Sequence, residues 1–235
     1  MNNICTICAR GGSKGVPNKN IKLLNGIPLI TYTIQQAIQS KLFSKVVVST
    51  DSQKIANVAL AAGAECWFLR PKYLSLDKAS KLDAIRHAVS KAESKFNTSY
   101  DFVFDLDATS PLRKVSDIKK AFKCFVKSKA SNLITATPAR KNPYFNMIEY
   151  SGTEIKLVKS IKGSSSPPQS RQVAPQVYDM NASIYIWKRD SLFNDSNLIN
   201  KYTVLHEMPE DRSIDIDTII DWHLVELLMK LNLKK

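Results

Sequence analysis

Three segments of this 235-residue chain carry residue types whose spacing could do chemistry. The first is Arg10-Gly11-Gly12-Ser13-Lys14-Gly15. Glycine lets a backbone turn sharply and bring its N–H groups against phosphate oxygens. Arg10 and Lys14 add positive charge, and Ser13 adds a hydroxyl donor. This composition supports a phosphate cradle, against the plainer alternative of an ordinary loop at a strand end. The segment is not G-x-x-x-x-G-K-[ST], and Arg10 stands where G-x-G-x-x-G needs its first glycine. Both absences argue against a P-loop kinase and a dinucleotide-dependent dehydrogenase.

The second segment is Asp215-Ile216-Asp217. In an extended stretch, residues i and i+2 point to one side. Two hard carboxylates with open positions suit Mg²⁺ (or Mn²⁺), which takes one or two protein carboxylates plus phosphate oxygens and waters. An exposed acidic turn capping the next helix explains the same spacing equally well. The third segment is Asp107-Ala108-Thr109-Ser110-Pro111-Leu112-Arg113. Its hydroxyls and Arg113 are expected to point towards a ligand, and part of it should cap the helix that follows.

The elements that must position these segments alternate. Apolar, β-branched runs predict strands at Ile4–Ala9, Lys45–Thr50, Glu65–Leu69, Phe102–Leu106 and Leu133–Thr137. Helical spacing predicts helices over Pro28–Gln39, Ser52–Ala62, Lys81–Phe96 and Ser116–Lys127, with Gly63 as the stop of the second. Strand character resumes at Ile184–Trp187 and Thr203–Glu207, and a helix over Thr218–Leu231 carries Ile220, Leu224, Leu227 and Leu231 along one stripe. The order implies βαβ units: an α/β, three-layer sandwich with a mainly parallel sheet in one domain over 1–235. Ligands of such sheets bind beyond the strands' carboxyl ends. Arg10–Gly15, Asp51, Arg70 and Asp107–Arg113 all fall there. Arg140–Val177, rich in Pro, Ser, Asn and Lys around Ser164-Ser165-Ser166-Pro167-Pro168, is expected to be an inserted lobe or loop spanning roughly 140–180.

Composition narrows the classes. The formal charge of +13 admits nucleic acid or anionic small substrates. The lysines are dispersed and do not interleave with aromatics, so a basic nucleic-acid-binding protein is the weaker alternative: it leaves the Gly-Ser-Lys loop and the D-x-D unexplained. No apolar run reaches membrane-spanning length, and the expectation is a cytoplasmic protein with no membrane partner. Cys5 and Cys8 form a C-x-x-C, but they sit in an apolar run with no second such pair. They read as core residues rather than a redox or zinc site.

Taken together, Ile7–Ile30, Val46–Ser52, Phe68–Pro71, Thr109–Arg113 and Arg212–Thr218 resemble the acylneuraminate cytidylyltransferases, the CMP-sialic acid synthetase family. The pieces appear in family order and span nearly the whole chain. The resemblance implies a nucleotide-diphospho-sugar transferase-like fold with a small dimerisation lobe, hence a homodimer. It also implies transfer of CMP from CTP to an acidic nine-carbon sugar. By position, Arg10, Gly11, Ser13 and Lys14 would hold the triphosphate, Asn20 would help fix the cytidine, and Arg70 would lie on the nucleotide side. Arg171 would face the sugar carboxylate or a nearby phosphate, and Asn181 and Tyr185 would lie near the sugar. Asp215 and Asp217 would bind Mg²⁺. The sugar's anomeric hydroxyl would attack the α-phosphorus in line, with Asp215 or Asp217 helping to deprotonate it. Arg10, Lys14 and Asp217 are the residues expected to carry catalysis.

The departures bear on the sugar. Asp107, beside Thr109, replaces a glutamine, Asp179 brings an acid where an arginine is usual, and Lys81 stands where serine is common. A carboxylate only accepts hydrogen bonds. The pocket should therefore favour a sugar with extra N–H donors, a diacetamido acid of the legionaminic type, whose branch this chain resembles most. The neighbouring alternative is another CTP-dependent acidic-sugar enzyme, such as a CMP-ketodeoxyoctonate synthetase.

Overall fold

The computed structural model describes residues 1–161 and 166–232. Its strands are β1 (Asn3–Cys8), β2 (Leu23–Leu24), β3 (Ile27–Pro28), β4 (Lys45–Ser49), β5 (Phe102–Leu106), β6 (Asn132–Pro138), β7 (Ile148–Tyr150), β8 (Ile155–Leu157), β9 (Tyr178–Lys188) and β10 (Thr203–Glu207). Its helices are α1 (Leu29–Ser40), α2 (Gln53–Ala61), α3 (Lys81–Phe96), α4 (Val115–Ser128), α5 (Arg189–Asn194) and α6 (Ile219–Asn232). Six strands form one sheet in the order β10-β6-β9-β5-β1-β4. The pairs β1–β4, β1–β5 and β10–β6 are parallel, and β9 runs antiparallel between β5 and β6.

Side-chain alternation along the strands builds the three layers. Cys5, Val46, Val48, Phe104 and Leu106 pack on one face with α1, α2 and α4. Ile4, Val47 and Val103 pack on the other with Ile85 and Val89 of α3 and Leu192 of α5. The strands are apolar on both faces because helices cover both.

The structure departs from the sequence reading in four places. Glu65–Leu69 is not a strand. Glu65 makes one bridge to Val47, and the chain then leaves the sheet so that Trp67 and Phe68 pack edge-on against Phe96 and His87 of α3. The β9 strand begins six residues before Ile184. The α6 stripe of Ile220, Leu224, Leu227 and Leu231 is exposed, while Trp222 and Val225 make the buried face. Within 140–180, β7 and β8 form a separate hairpin. Ser164 and Ser165 lie outside the described residues.

Candidate active site

The loop after β1 is held open by its neighbours. Gly11 N–H donates to Asp51 Oδ1 at 2.9 Å, and Asn20 Nδ2 donates to the Arg10 carbonyl at 3.0 Å. Gly15 explains itself at close range: a Cβ there would collide with the Asp217 carbonyl oxygen. The glycine-rich loop therefore packs directly on the D-x-D backbone. That backbone is fixed from behind. Ile216 is fully buried among Val16, Leu29, Leu112 and Trp222, and its N–H donates to the Thr109 carbonyl at 3.0 Å. With Ile216 pinned inward, Asp215 and Asp217 both face one cleft of about 460 Å³, which Arg10, Ser13, Lys14, Asn20, Asp107, Thr109 and Tyr185 also line.

The charges at this end are provisional. Arg10 Nη1 lies 2.7 Å from Asp77 Oδ1, and Lys14 reaches the other oxygen of the same carboxylate. Hydrogen bonds from Lys14 and then Arg10 hold the exposed Asp77 carboxyl below its usual range. Across the cleft, Lys19 Nζ lies 3.0 Å from Asp217 Oδ1 and also donates to the Ile216 carbonyl. Burial, then the charge of Asp217, push the Asp215 carboxyl above its usual range. Among the described residues no cationic side chain pairs with Asp215, and no group of three or more His, Cys, Asp or Glu gathers to hold a metal. Two carboxylates on one side of a pinned loop, facing a cleft with room for phosphate oxygens and water, fit Mg²⁺ rather than a soft or fully caged ion.

The opposite wall is closed. Asp105 and Asp107 project from β5 and its end towards the N-terminus of α3. Lys81 Nζ lies 3.1 Å from Asp105 Oδ2 and 2.9 Å from Asp107 Oδ2, above the Tyr185 ring at 4.7 Å. Thr6 Oγ1 donates to Asp105 at 2.8 Å, and Thr109 donates to Asp107 through N–H and hydroxyl at 3.0 and 2.9 Å. Burial pushes the Asp105 carboxyl up. Burial acts on Asp107 too, but the Lys81 ammonium and the Thr109 donors outweigh it and hold that carboxyl low. A smaller adjoining cavity, lined by Arg70, Leu74, Asp77, Ser80 and Lys81, continues the cleft on the α3 side.

The sequence-predicted residues divide accordingly. Arg10, Ser13, Lys14, Asn20, Asp107, Thr109, Tyr185, Asp215 and Asp217 share the central cleft, Gly11 holds its loop, and Arg70 lines the adjoining cavity. Asn20's amide is spent on the loop carbonyl. Asn181 is buried and tied to Thr135, Ser183 and Ser213. Asp179 lines a neighbouring cavity with Arg140, Glu210 and Asp215. Arg171 donates to the Ala139 carbonyl and is not among the residues lining the cleft. Arg113 does not face a ligand: it is fully buried and donates to Ser183, Thr33 and the Asp107 carbonyl, bracing the loop from beneath. Cys5 lies in the core, whereas Cys8 reaches the cleft floor, its thiol pushed up by burial. Sequence reasoning missed Asp77, Lys19 and Asp105. Asp105 had a signal, since Asp105-Leu106-Asp107 is a second D-x-D on a strand.

The cytidylyltransferase family pattern matches residues 4–220. A CMP-N,N'-diacetyllegionaminic acid synthase of Campylobacter jejuni is 50% identical over 97% of this chain and 95% of its own length. A pseudaminic acid cytidylyltransferase of the same species is 33% identical over 99% of this chain and 98% of its own. The solved structure of a CMP:2-keto-3-deoxy-manno-octonic acid synthetase complexed with CTP superposes with a TM-score of 0.68 at 17% identity, covering 99% of this chain and 100% of that one. At that identity the likeness speaks for the fold. No described helix is long and apolar enough to cross a membrane.

Proposed function

This chain belongs to the cytidylyltransferase family, and on that premise we propose that it joins CTP to a nonulosonic acid of the legionaminic type, releasing pyrophosphate. It is a nucleotidyltransferase that uses CTP and an acidic sugar. The observation that carries the site is the contact of Gly15 with Asp217: it sets the phosphate loop and the carboxylate pair across one cleft. Arg10 and Lys14 would exchange Asp77 for the triphosphate, and their charge would offset that on the transferring and leaving oxygens. Asp215 and Asp217 would hold Mg²⁺, which when bound supplies Lewis-acid neutralisation of phosphate oxygens. A sugar hydroxyl entering along the Asp107–Tyr185 wall would meet the nucleotide opposite its leaving group.

The legionaminic preference rests on Asp107 and Lys81 in the cleft wall and on the 50% identical relative's name. A homodimer is supported by the exposed Ile148, Tyr150 and Ile155 of the β7–β8 hairpin and the uncovered α6 stripe. Light scattering that gives a monomer's mass at assay concentration would overturn it. The functional test is pyrophosphate release with CTP, Mg²⁺ and a panel of acids. N,N'-diacetyllegionaminic acid should give the highest kcat/KM. An equal or higher value for N-acetylneuraminic or pseudaminic acid would overturn the sugar assignment, and turnover with 2-keto-3-deoxy-manno-octonic acid alone would favour the octonate reading.

A further inference from the structure

Lys81 opens α3, where a cation opposes the helix dipole, so helix formation does not explain it. Its ammonium has three N–H donors. One donates to Asp107 Oδ2 at 2.9 Å, while Asp105 Oδ2 lies 3.1 Å from the ammonium as an ion pair and accepts no hydrogen bond. Asp107 in turn accepts twice from Thr109 and once from Lys81. A carboxylate offers about four lone-pair sites. The pair is left with donor capacity on Lys81 and an acceptor site on Asp107 in the wall of the cleft that both residues line. Two carboxylates against one ammonium leave this wall without surplus positive charge, which disfavours a phosphate or the sugar's own carboxylate there.

Behind the pair lies a separate cavity of about 230 Å³, walled by Leu82, Ile85, Trp187 and Leu198, with Lys81 and Tyr185 shared with the cleft. Almost all of this wall is hydrocarbon or ring. A secondary amide is the complement of the whole arrangement: its carbonyl accepts, its N–H donates and its acyl methyl is apolar.

We propose that Lys81, Asp107 and the apolar cavity form a subsite for an acylamido substituent of the sugar, with Asp105 as the positioning residue that holds Lys81 in place. The Lys81 ammonium meets the amide carbonyl, the free Asp107 lone pair takes the amide N–H, and the methyl enters the cavity. This assignment rests on the nonulosonic acid reading.

The test compares N,N'-diacetyllegionaminic acid with analogues in which each acetamido group in turn is a hydroxyl, by pyrophosphate release from the full chain. Lys81→Met should lower kcat/KM for the diacetyl acid by about 10- to 100-fold and for one analogue much less, so that the selectivity ratio collapses. Leu198→Trp, which fills the cavity and leaves the ion cluster intact, should reduce the same ratio. Should Lys81→Met fail to fold, Lys81→Met with Asp105→Leu removes the buried charge along with its partner and should show the same loss of ratio. An equal fall for all sugars, or a rise in the KM for CTP without a change of ratio, would overturn the subsite alone. A native chain that turns over none of these acids would overturn the functional reading and the subsite with it.

Discussion

The chain holds two D-x-D pairs, and they meet opposite fates. Asp105 and Asp107 share one face of a strand end, and a lysine closes them. Asp215 and Asp217 share one face of a pinned loop: the first has no cationic partner among the described residues, and the second keeps 73% of its side chain exposed beside Lys19. Identical spacing fixes only that two carboxylates point the same way. What stands above them decides the chemistry. A buried pair needs a resident cation, because desolvating unpaired charge is too costly. An open pair facing a phosphate loop can wait for its cation to arrive with the nucleotide. The closed pair thus holds a resident cation, Lys81, while the open pair is left only loosely neutralised, by Lys19 on Asp217.

The largest effect should come from closing the gap at the open pair. Gly15→Ala forces apart the loop and the Asp217 backbone. Misplacement on the ångström scale costs about 100-fold. We expect kcat/KM to fall at least that far, and stability to fall by about 1–3 kcal/mol as the clash is relieved, measured by pyrophosphate release and thermal unfolding. Lys14→Ala should cost a similar factor, about 100- to 1,000-fold, by removing a cation from the developing charge.

Next comes the metal requirement. Asp217→Asn should raise the Mg²⁺ concentration for half-maximal rate by at least the roughly 10- to 100-fold that an outer-shell loss costs at a metal site. The native requirement should depend on pH with a definite sign. Asp215 sits above the usual carboxylate range, through burial and then Asp217, so protons compete for it at a higher pH than for an ordinary aspartate. As pH falls through that raised value, more Mg²⁺ should be needed, and saturating Mg²⁺ should restore the rate. A metal requirement that does not change with pH would remove Asp215 from the site.

The closed pair should answer in stability rather than in metal dependence. Lys81→Met strands two carboxylates, and with the ammonium 38% exposed we expect a loss of about 1–3 kcal/mol in urea unfolding. Lys81→Met with Asp105→Leu should recover most of it, because a buried pair replaced together is often neutral. The smallest effect belongs to Asp77. Asp77→Asn frees Arg10 and Lys14 before the nucleotide arrives, so the KM for CTP should fall a few-fold, as for an exposed ion pair.

Much of this was legible in the sequence. Continuous apolar runs at Val46–Val48 and Phe102–Phe104 marked strands of a sheet covered on both faces, and the polar segments at strand ends located the cleft. What escaped is long-range. Glu65–Leu69 reads as a strand by composition, yet Trp67 and Phe68 find a better home against α3. Arg113 looks like a ligand cation beside its serine and threonine, but it is buried, donating to Ser183 and Thr33 of distant segments and to the Asp107 carbonyl of its own loop. Asp77 carries no local pattern, and Lys81 stands out only as a lysine where serine is common; the partners of both lie between 24 and 67 positions away. The second D-x-D was visible, but nothing local says whether a metal or a lysine will answer it.

The most direct measurement is a crystal structure of the chain with CTP and Mg²⁺. The expected result has triphosphate oxygens within about 2.7–3.2 Å of Arg10 and Lys14, Asp77 released from both, and the metal bound by Asp215 and Asp217. A nucleotide whose phosphates leave the Asp77 contacts intact, or a metal held by Asp105 and Asp107 instead, would contradict the division of labour between the two pairs.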